Sequence, residues 1–157
     1  MRRTRLFITG IGLVVVGIVG LVVVSSGAIV GARVGNSPVD RGKFIFQTGV
    51  DPSGRAIPYT GGMMMRVGCA TCHGAAGQGR RTPMFASPNI TYQNLTDPQG
   101  MLEPDGTHGP TYTDDLIRRA ITEGVDAEGK SLNTFMPRWQ MTARQLDELL
   151  AYLKTLR

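Results

Sequence analysis

One short segment constrains this chain more than any other: Cys69-Ala70-Thr71-Cys72-His73. Two thiols lie three positions apart, and an imidazole directly follows the second thiol. This combination is the attachment signature of a c-type haem, in which the thiols add across the haem vinyl groups and the histidine coordinates the iron. We therefore expect a domain that folds around one covalently bound haem c.

Two other chemistries use the same residue types. A structural zinc site requires four nitrogen or sulfur ligands in a repeated spacing. The cysteines and histidines of this chain contain no second pair of that kind: Cys69, Cys72, His73 and His108. A redox-active disulfide would follow a strand and begin a helix, but the segment 61–68 has the glycine-rich composition of a loop. Both readings are weaker than haem attachment.

The formal charge of +5 raises the possibility of nucleic-acid binding. Four of the basic residues, however, belong to the N-terminal region: Arg2, Arg3, Arg5 and Arg33. The remaining 13 basic residues nearly balance the 12 acidic ones. Because no basic patch with interleaved aromatic residues follows, we exclude a nucleic-acid partner.

Residues 1–30 are predicted to form a cytoplasmic tip and a transmembrane anchor. The apolar run from Leu6 to Val24 contains no charged residue, and as a helix it would span about 29 Å, close to the roughly 30 Å of a bilayer core. A cleaved signal peptide is the alternative, because Ser26-Gly27-Ala28 resembles a cleavage site, although its apolar region would usually be shorter. The arginines before Leu6 predict a cytoplasmic N-terminus, so we expect the domain on the extracytoplasmic side of the cell membrane.

Five glycines recur on one face of this predicted helix: Gly10, Gly17, Gly20, Gly27 and Gly31. A stripe of small residues lets another helix approach closely, which indicates docking to other membrane subunits. The alternative is that glycine is simply frequent in membrane helices. A short linker, 31–38, then leads to the domain at 39–157.

Three helices are predicted in the domain. The first covers Val39 to Thr48. The second follows Thr113 as N-cap and ends at Gly124. The third begins at Thr142, where Gln145 completes a capping box, and it carries an apolar stripe: Leu146, Leu149, Leu150, Leu153 and Leu156. The rest is rich in turn residues, so the fold class is mostly α with long loops.

Several residues outside the motif are candidates for the haem surroundings. Pro83 or a neighbour is expected to offer the carbonyl that orients the ligating imidazole. Arg80 and Arg81 either pair with haem propionates or lie solvated at the surface. Met63–Met65 either fills apolar space or binds copper. His108 is either an ordinary loop histidine or a second axial ligand.

The pattern resembles a class I c-type cytochrome from about Gly42 to Leu156. The residues that carry the resemblance are Gly42-Lys43 with Phe46, the motif at 69–74, Met136-Pro137, and Leu146 to Leu153 with Tyr152. The resemblance implies that the first and last helices cross at Gly42 and Tyr152. It also implies that Met136 is the sixth iron ligand, with Met141, Met84 and Met101 as rivals.

The segment Ser87–Thr91, followed by the Thr113 helix and Met136-Pro137, is similar to haem domains of membrane-bound dehydrogenase cytochrome subunits. Asn89 of this segment is a further candidate for the haem surroundings. Membrane-anchored monohaem subunits such as that of alternative complex III are a related possibility. The chain departs from the compact family pattern in a long insertion from Gln47 to Gly68. That insertion leaves open how the haem edge is covered.

The resemblance implies an electron carrier rather than an enzyme, because two protein ligands leave no position for substrate. Its partners would be redox proteins. The chain is then either a fixed subunit of a respiratory or photosynthetic complex or a tethered shuttle between complexes. A haem sensor or enzyme with a labile sixth ligand, and a structural subunit with an incidental haem, are the alternatives from other classes.

Overall fold

The computed structural model describes residues 34–62 and 68–157. The predicted anchor, its glycine face and the methionine run Met63–Met65 lie outside the described residues. Val34–Arg157 forms one compact unit. Among the described residues, no helix has the length and apolarity needed to cross a bilayer.

The unit consists of helices joined by long loops, with two very small antiparallel sheets. In chain order the elements are α1 (Pro38–Thr48), β1 (Tyr59–Thr60), α2 (Cys69–His73), β2 (Arg80–Arg81), β3 (Ala86–Ser87), α3 (Tyr92–Leu95), α4 (Asp114–Glu123), β4 (Arg138–Trp139) and α5 (Ala143–Leu153). Strand β1 pairs with β4, and β2 pairs with β3.

The predicted helix ends are confirmed by their caps. The Thr113 hydroxyl accepts from the Leu116 N–H, and Gly124 ends α4 in the left-handed region. Thr142 and Gln145 form the predicted capping box of α5. Helix α1 begins at Pro38, one residue before the predicted start, because Ser37 caps it and proline is favoured in the first turn.

Helices α1 and α5 cross where the resemblance placed the crossing. A Cβ on Gly42 would overlap the Glu148 carbonyl oxygen and approach the Tyr152 side chain, so glycine permits the close contact. Beside it the rings of Phe46 and Tyr152 lie 5.2 Å apart. The Glu148 carboxylate, 3% exposed, accepts from Arg41 at 2.6 Å and from Arg144 at 2.9 Å.

The insertion contributes to the fold through β1. Tyr59 pairs with Trp139, and Thr60 with Arg138. The aromatic rings of Tyr59 and Trp139 lie 4.9 Å apart. The insertion therefore supports the strand that directly follows Met136-Pro137, which sequence reasoning did not anticipate.

Most of the buried apolar side chains come from the helices. The core consists of Ile45, Phe46, Ile57, Leu95, Met101, Tyr112, Ile117, Ile121, Trp139, Leu149, Leu150, Tyr152 and Leu153. These side chains surround a cavity rather than filling the interior completely.

Candidate functional site

The cavity has a volume of about 230 Å³. Its lining brings together both cysteines of the motif, His73 and Met136. The rest of the lining is largely apolar and includes Phe46, Leu95, Ile117, Ile121, Trp139, Leu149 and Leu153. His73 and Met136, which lie 63 positions apart in the chain, thus line the same cavity.

Helix α2 holds the cysteines against this space. Gly68 caps the helix in an extended conformation, and a Cβ there would meet the backbone of Gln47 at the end of α1. Neither Cys69 nor Cys72 is in a disulfide. Burial raises the pKa of the Cys69 thiol to about 12, so with no group bound to it this thiol stays protonated near neutral pH.

His73 is 6% exposed, and its Nδ1 lies 3.0 Å from the Pro88 carbonyl oxygen. A carbonyl only accepts, so Nδ1 carries the proton and Nε2 keeps the lone pair that a metal needs. Burial lowers the pKa of His73, which favours the neutral ligand form although the Pro88 hydrogen bond acts in the opposite direction.

The acceptor is Pro88 and not the predicted Pro83. Pro83 lies exposed in the turn between β2 and β3 and is absent from the cavity lining. The hairpin reverses the chain there, so the residue that follows β3 returns to the motif. The Ser87 hydroxyl donates to the Cys72 carbonyl at 2.5 Å, and this hydrogen bond holds β3 against the motif.

Among the methionines that the structure describes, two line the cavity: Met136 and Met101. Met101 is 2% exposed and belongs to the core. The other rivals are not in the lining, and Met84 is 83% exposed. The structure therefore narrows the choice among Met84, Met101, Met136 and Met141 to Met136 and Met101.

The remaining predicted residues do not face the cavity. Arg80 is exposed and donates to the Thr71 carbonyl at 3.0 Å. The Asn89 side chain accepts from the Thr91 N–H at 2.8 Å, within its own turn. His108 is exposed, with Nδ1 3.0 Å from the Gly100 carbonyl oxygen, so the structure gives no support to a second histidine ligand.

The donor set fits a c-type haem and not the alternatives. Two thiols, one imidazole nitrogen and one or two thioether sulfurs surround an apolar space, which is the chemistry that a porphyrin and its iron require. Within residues 34–62 and 68–157, no group of three or more His, Cys, Asp or Glu side chains is placed to hold a metal ion.

Sequence reasoning missed three residues of the site. Tyr112 and Trp139 line the cavity and are 7% and 3% exposed, and Pro88 orients the histidine. An aromatic residue next to Met136-Pro137 is a signal that could have indicated Trp139. Nothing in the sequence around Pro88 indicates its hydrogen bond to a residue 15 positions earlier.

The family model for cytochrome c matches residues 39–157. No curated protein and no solved structure matches the chain. The matched residues span the described unit, including the attachment motif, the cavity lining and the last helix. The chain belongs to the cytochrome c family of haem-binding electron carriers.

Proposed function

We propose that this chain is a membrane-tethered monohaem c-type cytochrome that carries single electrons on the extracytoplasmic side, as a subunit of a respiratory or photosynthetic electron-transfer complex. The observation that carries the proposal is the common cavity. Both motif cysteines, His73 and Met136 line it, which is the arrangement that a carrier with two protein ligands needs.

Different residues of the chain attach the haem, ligate its iron and exclude water. The bound haem supplies a one-electron change between ferrous and ferric iron. Cys69 and Cys72 hold the group covalently, His73 offers Nε2 and Met136 offers its sulfur. The apolar side chains keep water and exogenous ligands out of the cavity, and their low dielectric disfavours added positive charge. A positive reduction potential is the expected consequence.

A redox titration of the full chain in mild detergent tests the carrier function. We expect one reversible one-electron wave, and we expect the ferrous protein not to bind carbon monoxide because Met136 occupies the sixth position. Stoichiometric carbon monoxide binding at ambient pressure would contradict the proposal. It would favour a sensor or enzyme with an open sixth position instead.

The membrane assignment rests on the sequence. The uncharged run from Leu6 to Val24 has the length of a bilayer span, and the arginines before it favour a cytoplasmic N-terminus. Haem attachment of this type takes place outside the cytoplasm, which agrees with that orientation. Carbonate extraction of membranes and protease protection of the haem domain would test both points.

The assignment to a complex rests on the glycine face of the anchor. A pull-down of the full chain in mild detergent should recover other subunits in a fixed ratio. Gly17→Leu with Gly20→Leu should reduce that recovery, whereas Val15→Leu on the opposite helical face should not. Recovery of the chain alone would favour a tethered shuttle.

A further inference from the structure

Arg138 occupies an unusual position beside Met136-Pro137. Its guanidinium donates to four backbone carbonyls, those of Gly124, Leu132, Asn133 and Met136. The bonds to Leu132 and Asn133 measure 2.7 and 2.9 Å, and the one to Gly124 measures 3.4 Å. A single side chain thus connects the end of α4 with the loop that carries Met136.

No carboxylate in the described part of the chain forms an ion pair with this guanidinium. The ion pairs among residues 34–62 and 68–157 involve other arginines and lysines. An exposed arginine in a surface ion pair contributes little to stability. The Arg138 guanidinium is partly buried, and its described partners are all backbone carbonyls. It binds them through charge-assisted hydrogen bonds, which are stronger than neutral ones. The arrangement therefore constrains the backbone at 132–136 more than an ordinary loop contact does.

The end of α4 is shaped to admit this side chain. Gly124 has a φ of +67°, and a Cβ there would overlap the guanidinium of Arg138. The same residue therefore ends the helix and leaves space for the arginine. Strand pairing of Arg138 with Thr60 holds the Arg138 backbone in place.

Among residues 34–62 and 68–157, two other backbone hydrogen bonds link residues 132–136 to segments outside the loop. Gly62 N–H donates to the Thr134 carbonyl at 2.9 Å, and Leu132 N–H donates to the Gly124 carbonyl at 2.8 Å. The Met136 N–H bonds only to Asn133 within the loop itself. Arg138 is the one described side chain that binds the Met136 backbone from outside the loop turn.

We propose that Arg138 is a positioning residue that holds the Met136 sulfur at the iron and thereby sets how easily an external ligand displaces it. The proposal rests on the proposed function, because it requires Met136 as the sixth ligand. Removal of the guanidinium leaves the carbonyls of 132–136 without their common partner. The loop then moves away from the cavity at lower cost.

The test is an imidazole titration of the oxidised full chain in mild detergent. Arg138→Gln should bind imidazole about tenfold more tightly than wild type, as expected when charge-assisted hydrogen bonds that favour the methionine-bound state are lost. Arg138→Lys keeps the charge without the planar fork and should fall between the two. Arg80→Gln, which removes a carbonyl-bonded arginine near the motif, should match wild type.

A second control variant separates an effect on the position of Met136 from a general loss of fold stability. Glu148→Gln weakens the α1–α5 crossing away from the loop, and it should leave imidazole affinity unchanged. Equal affinities in Arg138→Gln and wild type, or an equal increase in Glu148→Gln, would overturn the proposal. If Arg138→Gln does not fold, the Arg138→Lys comparison decides in the same way. If the wild type itself lacks methionine ligation in its optical spectrum, the failure belongs to the proposed function and not to Arg138.

Discussion

The two walls of the cavity are built differently. The histidine wall consists of Cys69–His73 with Pro88, and its ligands come from one five-residue helix. The methionine wall consists of residues 132–139, and no helix holds it. It depends on β1, on Gly124 and on the Arg138 side chain. Local sequence therefore builds the first wall, whereas contacts between distant segments build the second.

This difference predicts how each wall fails. A change in the histidine wall should either remove the haem or do very little, because the wall is short and covalently attached. A change in the methionine wall should alter the strength of iron ligation by degrees, because several separate contacts hold this wall in place.

The largest effect is expected from Cys69→Ala with Cys72→Ala. Without the two thiols no thioether can form, so acid–acetone extraction should release all haem from the protein. Met136→Leu should keep its haem through the same extraction, because the methionine wall makes no covalent bond. A pyridine haemochrome assay of the extracted and protein-bound fractions gives the measurement. Haem retained by the double variant would contradict the assignment of the motif.

Gly124→Ala should weaken the methionine wall. The new Cβ would displace the Arg138 guanidinium and would force a non-glycine residue to a φ of +67°. We expect a loss of roughly 2–4 kcal/mol in the free energy of unfolding. Gly129→Ala is the matched control, since its φ is +90° and nothing lies within 4 Å of its Cβ. That control should cost only about 1 kcal/mol. Denaturant unfolding would measure both, and equal losses would rule out the Arg138 contact.

Glu148→Gln tests the α1–α5 helix crossing, which lies away from the methionine wall. Burial acts to raise the pKa of Glu148, but hydrogen bonds from Arg144 and Arg41 outweigh it and lower the pKa below the ordinary value of 4.5. A carboxylate with a lowered folded pKa stabilises the fold above about pH 4.5, and this contribution is lost as the pH falls through the folded pKa. At pH 7 we expect Glu148→Gln to lose about 1–3 kcal/mol.

The pH dependence supplies the control for that prediction. The difference between wild type and Glu148→Gln should shrink as the pH is lowered below about 4.5. Asp147→Asn changes a neighbouring exposed carboxylate, 64% accessible and paired with Arg118, and it should stay close to wild type. A Glu148→Gln deficit that is constant between pH 3 and 7 would show that the carboxylate charge is not the cause.

The smallest effect is expected from Pro88→Ala. The hydrogen bond to His73 uses the backbone carbonyl of Pro88, which alanine retains. The visible spectrum and the reduction potential should therefore match wild type, with a stability change of about 1 kcal/mol or less. A shifted potential would mean that the proline ring, rather than the carbonyl, positions the histidine.

The difference between the two walls also explains which features could be predicted from the sequence. The caps at Thr113 and Thr142 and the glycine at the helix crossing are short patterns with a direct physical meaning, and the structure agrees with each. The attachment motif is equally short, and it lies within the residues that the family model matches. Pro83 was wrong because the partner of His73 is brought back by a hairpin. Hairpin registers depend on contacts between segments, and a single sequence does not display them.

The methionine wall depends even more on contacts that a single sequence does not display. Met136 was selected from a resemblance, and the structure adds that Met101 lines the cavity as well. The pairing of β1 with β4 and the four carbonyls of Arg138 join segments that are far apart in the chain. No local propensity encodes such contacts, so the function of the insertion became visible only in the fold.

The central claim is that His73 and Met136 are the two axial ligands of an electron carrier. The most direct test is the optical spectrum of the oxidised full chain, compared with Met136→Leu and with Met101→Leu as the volume-conserving control. We predict a weak long-wavelength sulfur-to-iron band in wild type and in Met101→Leu, and its loss in Met136→Leu. A wild-type spectrum without that band, or a band lost only in Met101→Leu, would contradict the account.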